Sequence, residues 1–309
     1  MPADVDGSIP EQRIVEAAAV LPAYGGVTGW AALRWLGGVW FDGLASGGRE
    51  ALPVSLAVGD SAITSQAGIH VSEEAIAPRD LTVVDGMPVT TAVYAVVFLM
   101  RHASDDREAS KHLAMAAYSD LVSIDEAAAY AGLRPRTGLS AWFGIPRCRS
   151  GILLAEENCW SPPEFEMLLI WMLDAGFPRP LCNHPVFDRF GNHIGTPDLF
   201  DPEAGVVGEY NGALHLEGAQ RRRDRTREEA FRRVGLECFT MLAGDSADPN
   251  RMADRMHAIR SRARWAAPAN RDWTIELPPW WIPTFTVEQR RNLDEGQRAR
   301  LLKVRLRTG

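Results

Sequence analysis

Apolar residues recur at helical spacing in Ile9–Leu21 and in Thr28-Gly-Trp-Ala-Ala-Leu-Arg-Trp-Leu36, where Thr28 stands at a capping position and Gly37-Gly38 ends the run. The pattern then changes period. Leu52–Val58 and Ala62–Ile69 read as strands, and Asp80–Val84 with Met87–Val89 reads as a hairpin about Asp85-Gly86. Helical spacing returns in Thr91–Arg101, Asp106–Ser119 and Ser123–Ala131. The last opens on a capping box, Ser123 with Glu126. Arg134–Trp142 is a further candidate helix, whereas Phe143–Trp160 lacks a period and marks a boundary near its end.

Beyond that boundary, Ser161-Pro-Pro-Glu164 is a helix start, with Ser161 as cap, and the helix runs to Gly176. Strands are expected at Leu181–Phe187, His193–Phe200 and Val206–Asn211, linked by turns at Asp188–Asn192 and Asp201–Gly205 as an antiparallel meander. A helix over Glu217–Val234, a strand at Glu237–Met241 and a helix over Pro249–Trp265 follow. Crossover through the first of these helices makes the last strand parallel to its neighbour. The expected organisation is therefore an α+β region over 1–150, whose first two short helices suit a helix-turn-helix or a small helical core, with a helical connector after them. An α/β domain over 155–265 comes next, with a mixed sheet flanked by helices in the order α-β-β-β-α-β-α. Residues 266–309 form a Trp/Pro-rich strip, Trp273–Trp281, and a charged helix after Val287. The strip is expected to lie against another surface or to bind a protein partner.

Composition narrows the function classes. Apolar residues make up 46% of the chain, enough for a real core, yet no run of 18 apolar residues exists to span a membrane. Ala17–Leu21 is too short and lacks the basic lead-in of a signal peptide, and Cys148, Cys159, Cys182 and Cys238 form no C-x-x-C pair. A reducing cytoplasm, without structural zinc or disulfides, is the expectation. The net charge of −7 argues against a protein that coats nucleic acid with its whole surface. The charge is uneven, however. Seven arginines stand against three acids between Arg221 and Arg233, and five against Asp254 between Arg251 and Arg264, which suits a local phosphate-binding face.

Carboxylates give the candidate chemistry. Glu209 lies inside an apolar strand, where an unpaired charge is costly. Alternation puts Asn211 on its side of the strand, and Asp198 on the neighbouring strand faces the same way. With Glu164 from the helix, Asp198 and Glu209 can converge on a hard divalent cation, Mg²⁺ or Mn²⁺, of the kind that neutralises a scissile phosphate and activates water. His215, beyond the strand, is placed to orient water or to protonate a leaving oxygen. Asp224 and Arg227 share a helix face and are candidates to brace the site or hold phosphate, together with Arg221, Arg222 and Arg223.

The runs Gly195-Thr-Pro-Asp198-Leu, Gly208-Glu209-Tyr-Asn211-Gly212-Ala-Leu-His215, Arg223-Asp224-Arg-Thr-Arg227 and Gly235-Leu-Glu-Cys-Phe239 together resemble the DUF559 branch of the PD-(D/E)XK superfamily. That branch is similar to very-short-patch mismatch-repair endonucleases. The resemblance covers residues 161–265 and implies a restriction-endonuclease-like fold acting on DNA. Asp198 would be the metal-binding aspartate, Glu209 the acid of the E-x-K half-motif, and Glu164 the acid of the first helix. His215 would match the histidine after the third strand, and Asp224 and Arg227 the D-x-x-R of the next helix. Asn211 departs from the pattern, which has lysine or aspartate there; an amide carries no charge. The front half, through Thr28–Gly37 and Gly86-Met-Pro-Val-Thr-Thr-Ala-Val93, resembles antitoxin-like transcriptional regulators of the AbiEi type, which implies an N-terminal winged-helix segment that touches DNA. The expectation is a metal-dependent DNA endonuclease of repair or defence. The alternatives are a non-cleaving DNA-binding regulator that keeps the fold and an antitoxin-like interaction module.

Overall fold

In the computed structural model, residues 8–45, 48–132, 143–212 and 218–303 are described, with the backbone alone for 218–225. The chain divides into two compact units, residues 1–157 with 290–309, and residues 158–289. No helix among the described residues is long and apolar enough to cross a membrane.

In the first unit, α1 (Pro10–Ala18), β1 (Gly26–Thr28) and α2 (Gly29–Trp35) are followed by β2 (Val54–Ala57), β3 (Ile69–Ser72), β4 (Leu81–Val84) and β5 (Met87–Thr90). The five strands form one sheet in the order β3-β2-β1-β5-β4. The hairpin expected at Asp85-Gly86 is present, and both residues take the positive φ that such a turn requires, 50° and 78°. The strand between the first two helices was not legible, because its three residues are buried alike and show no alternation. Thr28 occupies the N-cap position of α2, but its side chain makes no capping bond; its hydroxyl accepts from Thr90 instead, at 3.0 Å. The strand expected over Ala62–Ile69 begins at Ile69 and pairs parallel with β2. Helices α3 (Ala92–His102), α4 (Asp106–Tyr118) and α5 (Ile124–Gly132) follow as expected. The segment Phe143–Trp160 is not aperiodic: α6 occupies Ile145–Leu154 and buries Ile145, Cys148 and Gly151, three residues apart. Cysteine and glycine carry this buried face, so an apolar-periodicity reading passes over it. The candidate helix Arg134–Trp142 lies outside the described residues.

Burial pushes His112 on α4 down from its ordinary 6.5 to about 4, against the opposing pull of Glu108. Between these values the unfolded chain binds a proton that the folded chain does not, so stability falls as pH drops through 6.5 towards 4. For this half-buried group the loss is about 2 kcal/mol after allowance for solvent screening. The expected result is a lower urea midpoint at pH 5 than at pH 7.5, with much of that difference gone in His112→Gln. Equal acid sensitivity of the two proteins would refute this origin.

In the second unit, α7 (Pro162–Leu169) continues through a π-helical turn, Ile170–Asp174, to Gly176. Strands β6 (Leu181–Cys182), β7 (Val186–Asp188), β8 (His193–Gly195), β9 (Leu199–Asp201) and β10 (Val206–Asn211) come next. They are followed by α8 (Gly218–Arg233), β11 (Glu237–Leu242), α9 (Pro249–Arg262) and β12 (Trp273–Thr274). The principal sheet runs β11-β10-β9-β6, with β10 parallel to β11 and antiparallel to β9. This is the mixed parallel and antiparallel sheet flanked by helices that the sequence predicts. The three-strand meander is corrected. The expected strand His193–Phe200 breaks at Thr196-Pro197-Asp198 into β8 and β9, which lie in different sheets, because proline cannot donate to a ladder. Strand β8 joins a small sheet with β7 and β12.

The principal sheet is buried on both faces. Val206, Leu199 and Phe239 pack with Trp171 and Met256 on one side, and Val207, Phe200 and Cys238 with Phe231 on the other. Phe239 lies directly over Gly208, where a Cβ would strike its ring. The Trp273–Trp281 strip belongs partly to this unit's own packing. Trp273 is buried and pairs with Asp188, Trp281 meets Phe187 edge-on at 5.2 Å, and Trp280 stays exposed. After α10 (Val287–Arg291), α11 (Glu295–Leu301) opens on a capping box formed by Asp294 and Gln297.

Candidate active site

Strand β10 lies between β9 and β11, and its alternation decides what each residue can meet. Val206, Gly208 and Tyr210 point towards the α7 and α9 side, and Val207, Glu209 and Asn211 towards the side of α8. Arg227 reaches from α8 and forms an ion pair with Glu209 Oε2. This pairing offsets the cost of a carboxylate inside a strand. Asn211 ends the strand half-buried.

Asp198 stands immediately before β9, and its Oδ2 accepts from the Tyr210 backbone N–H at 2.6 Å. The carboxyl is held well above the usual carboxylate range. Burial is the largest cause, and the charges of Glu164 and Glu209 add to it; the Tyr210 N–H and Arg227 oppose it. Asp198 is thus close enough to an acid of the helix and to an acid of the central strand to feel the charge of each.

Glu164 is the most firmly held of them. It is the third residue of α7, whose cap is Ser161 as the sequence predicts: Glu164 N donates to Ser161 Oγ at 3.3 Å, and Ser161 Oγ donates to Glu164 Oε1 at 2.9 Å. Oε2 accepts from the Trp160 backbone N–H and from Asn183 Nδ2, both at 2.9 Å. Asn183 and Asn158 were missed from sequence. They form a buried bracket: Asn158 Nδ2 donates to the carbonyls of Cys182 and Asn183, and Asn183 Nδ2 returns a bond to Asn158 O. The usable signal was Asn183 itself, an asparagine after a short strand, which takes φ 45°.

Arg221, Arg222, Arg223 and Asp224 lie within α8, where only the backbone is described, and His215 falls outside the described residues. The four cysteines are buried thiols, none in a disulfide, and burial pushes those of Cys148 and Cys238 up to about 11 and about 12. These thiols are inert at neutral pH, so they supply no nucleophile. Among the described residues, no group of three or more His, Cys, Asp or Glu side chains is disposed to hold one metal ion.

Comparison with family models, with curated proteins and with solved structures gave no match for the chain.

Proposed function

We propose that the second unit is a divalent-cation-dependent phosphodiesterase acting on DNA, in the manner of the very-short-patch endonuclease-like branch of the PD-(D/E)XK superfamily. The single observation that supports this reading is the buried Asp198 carboxyl, bonded to the backbone of β10 and close enough to Glu164 and to Glu209 for their charges to repel its own. A folded chain tolerates such repulsion where a ligand later relieves it. The donor set is all carboxylate oxygen, which fits Mg²⁺ or Mn²⁺. Asp198 and Glu209, with Glu164 beside them, would hold the ion. When bound, it supplies charge neutralisation at phosphorus and an acidified water.

The chain's own residues do the rest. Arg227, poised on Glu209, is within reach of both the acids and an incoming phosphate. The Tyr210 N–H keeps Asp198 oriented, and the bonds to Ser161, Trp160 and Asn183 keep Glu164 oriented. The arginine-rich face of α8 holds the DNA backbone. Replacing Arg221, Arg222 and Arg223 by glutamine is expected to reduce the slope of log affinity against log salt by up to about three units. An unchanged slope would show that this part of α8 faces away from DNA.

The test of the reading is nicking of supercoiled DNA with Mg²⁺, with Mn²⁺ and with EDTA. Cation-dependent nicking supports it, and no nicking under any condition removes it. The pairing of Arg227 with Glu209, together with uncharged Asn211, favours a second reading: a DNA-binding regulator that has kept the fold without turnover. Under that reading the protein shifts DNA in a gel with Ca²⁺ but does not cut it with Mg²⁺.

A further inference from the structure

Asn183 has two unusual properties in one residue. It holds a left-handed backbone, φ 45°, and its side chain is buried with one polar atom, Oδ1, lacking a hydrogen-bond partner. The orientation of the amide is not arbitrary. Its NH₂ group faces two acceptors, Glu164 Oε2 at 2.9 Å and Asn158 O at 2.8 Å, and turning the amide over would set oxygen against oxygen at both. Oδ1 is therefore held where it is by the two bonds made through nitrogen. A buried acceptor without a donor is costly, and strained backbone concentrates at functional sites. The backbone N–H of Asn183 also donates to the carbonyl of Asp198, at 3.2 Å. One residue thus ties the side chain of Glu164 to the main chain of Asp198.

We propose that Asn183 is the positioning residue of this site: through Nδ2 it fixes Glu164 relative to Asp198, and through Oδ1 it accepts a hydrogen bond from a water carried by a hydrated divalent cation. This rests on the cation-dependent reading above. The cation chemistry matches: Mg²⁺ keeps several of its waters, and each is a strong donor in need of an acceptor.

The experiment is Mn²⁺ titration of the full chain, wild type against Asn183→Gly, Glu164→Gln and the double variant. Glycine takes the left-handed backbone without strain, so only the amide is lost. At least tenfold weaker Mn²⁺ binding is expected in Asn183→Gly. The double variant should bind more weakly than Glu164→Gln, because the Oδ1 contact does not need Glu164, but by less than the sum of the two single losses, because the Nδ2 contact acts through Glu164. Wild-type affinity in Asn183→Gly, or losses that simply add, would overturn the proposal while leaving the cation-dependent reading intact. Wild-type protein that binds no Mn²⁺ would remove both. A second measurement does not depend on the variant folding: in ¹⁵N-labelled wild-type protein, the Asn183 side-chain NH₂ signal should shift on adding Mg²⁺. A signal that does not move in saturating Mg²⁺ overturns the proposal.

Discussion

Asp198→Ala is expected to lower Mg²⁺-dependent nicking at least a thousandfold, a loss of about 4 kcal/mol of transition-state stabilisation, while the protein stays folded. The informative companion is Asp198→Asn. Its side chain keeps an oxygen for the Tyr210 N–H and loses only the charge. Burial and the charges of Glu164 and Glu209 raise the Asp198 carboxyl, so the folded state binds its proton more tightly than the unfolded chain does. Stability contributed by this group is fully present below the ordinary carboxylate range and is lost as pH rises from there up through the raised titration of the folded state. A neutral amide therefore avoids the cost of ionising this position. Asp198→Asn should melt at or above the wild-type temperature and yet be inactive. A residue kept for stability behaves in the opposite way, and a clear drop in melting temperature for Asp198→Asn would assign Asp198 to the fold instead of the chemistry.

The second large effect concerns Asp120 and stability. Arg290 is fully buried, and its charge is matched by Asp120 Oδ1 at 2.6 Å, while its NH2 nitrogen donates to Ala117 O at 2.7 Å. Arg298 takes Asp120 Oδ2 at 2.8 Å. Arg291 donates to the carbonyls of Asp120 and Leu121, at 3.0 and 2.9 Å, and to Glu126 Oε1 at 2.7 Å. These arginines of the C-terminal segment thus bond carbonyls in the last turn of α4 and just past it, where the helix dipole favours cations. Asp120→Ala strands a buried guanidinium, which typically costs about 3–5 kcal/mol. Asp120 also takes φ 57°, which alanine adopts at a further cost. The expected result is a fall in melting temperature of roughly 10 °C or more, together with faster proteolysis after Arg290. Asp120→Asn, which tolerates the backbone and keeps an acceptor, should lie between. Melting within a degree of wild type for Asp120→Ala would mean that Arg290 is neutralised by other means.

What the sequence by itself determined are the features whose energy is local. The Ser161 cap on the Glu164 N–H needs four consecutive residues, the Asp85-Gly86 turn needs two that accept positive φ, and the alternation in Val206–Asn211 needs only a strand. The parallel pairing of β10 with β11 follows as well, since a helix between two strands of one sheet imposes it. That Glu209 needs a partner was legible, because a carboxylate is too costly in a strand to stand alone. Its partner in the folded chain, Arg227, is 18 residues away and reaches it only because α8 covers that face of β10.

Tertiary structure alone decided the rest. Nothing local marks Asn183 as the residue that grips Glu164, because the bond spans two elements that meet only when α7 packs on the sheet. Nor does anything local mark Asp120 as the partner of an arginine 170 residues later. The charged pattern after Val287 reads in sequence as a charged helix and not as a structural clamp. It is burial of Arg290, where an unpaired charge is intolerable, that makes it the clamp. The same reasoning covers the break at Thr196-Pro197-Asp198: the run looks continuous in sequence. Only the demand that β8 and β9 join different sheets turns it into the corner that holds Asp198 beside Tyr210.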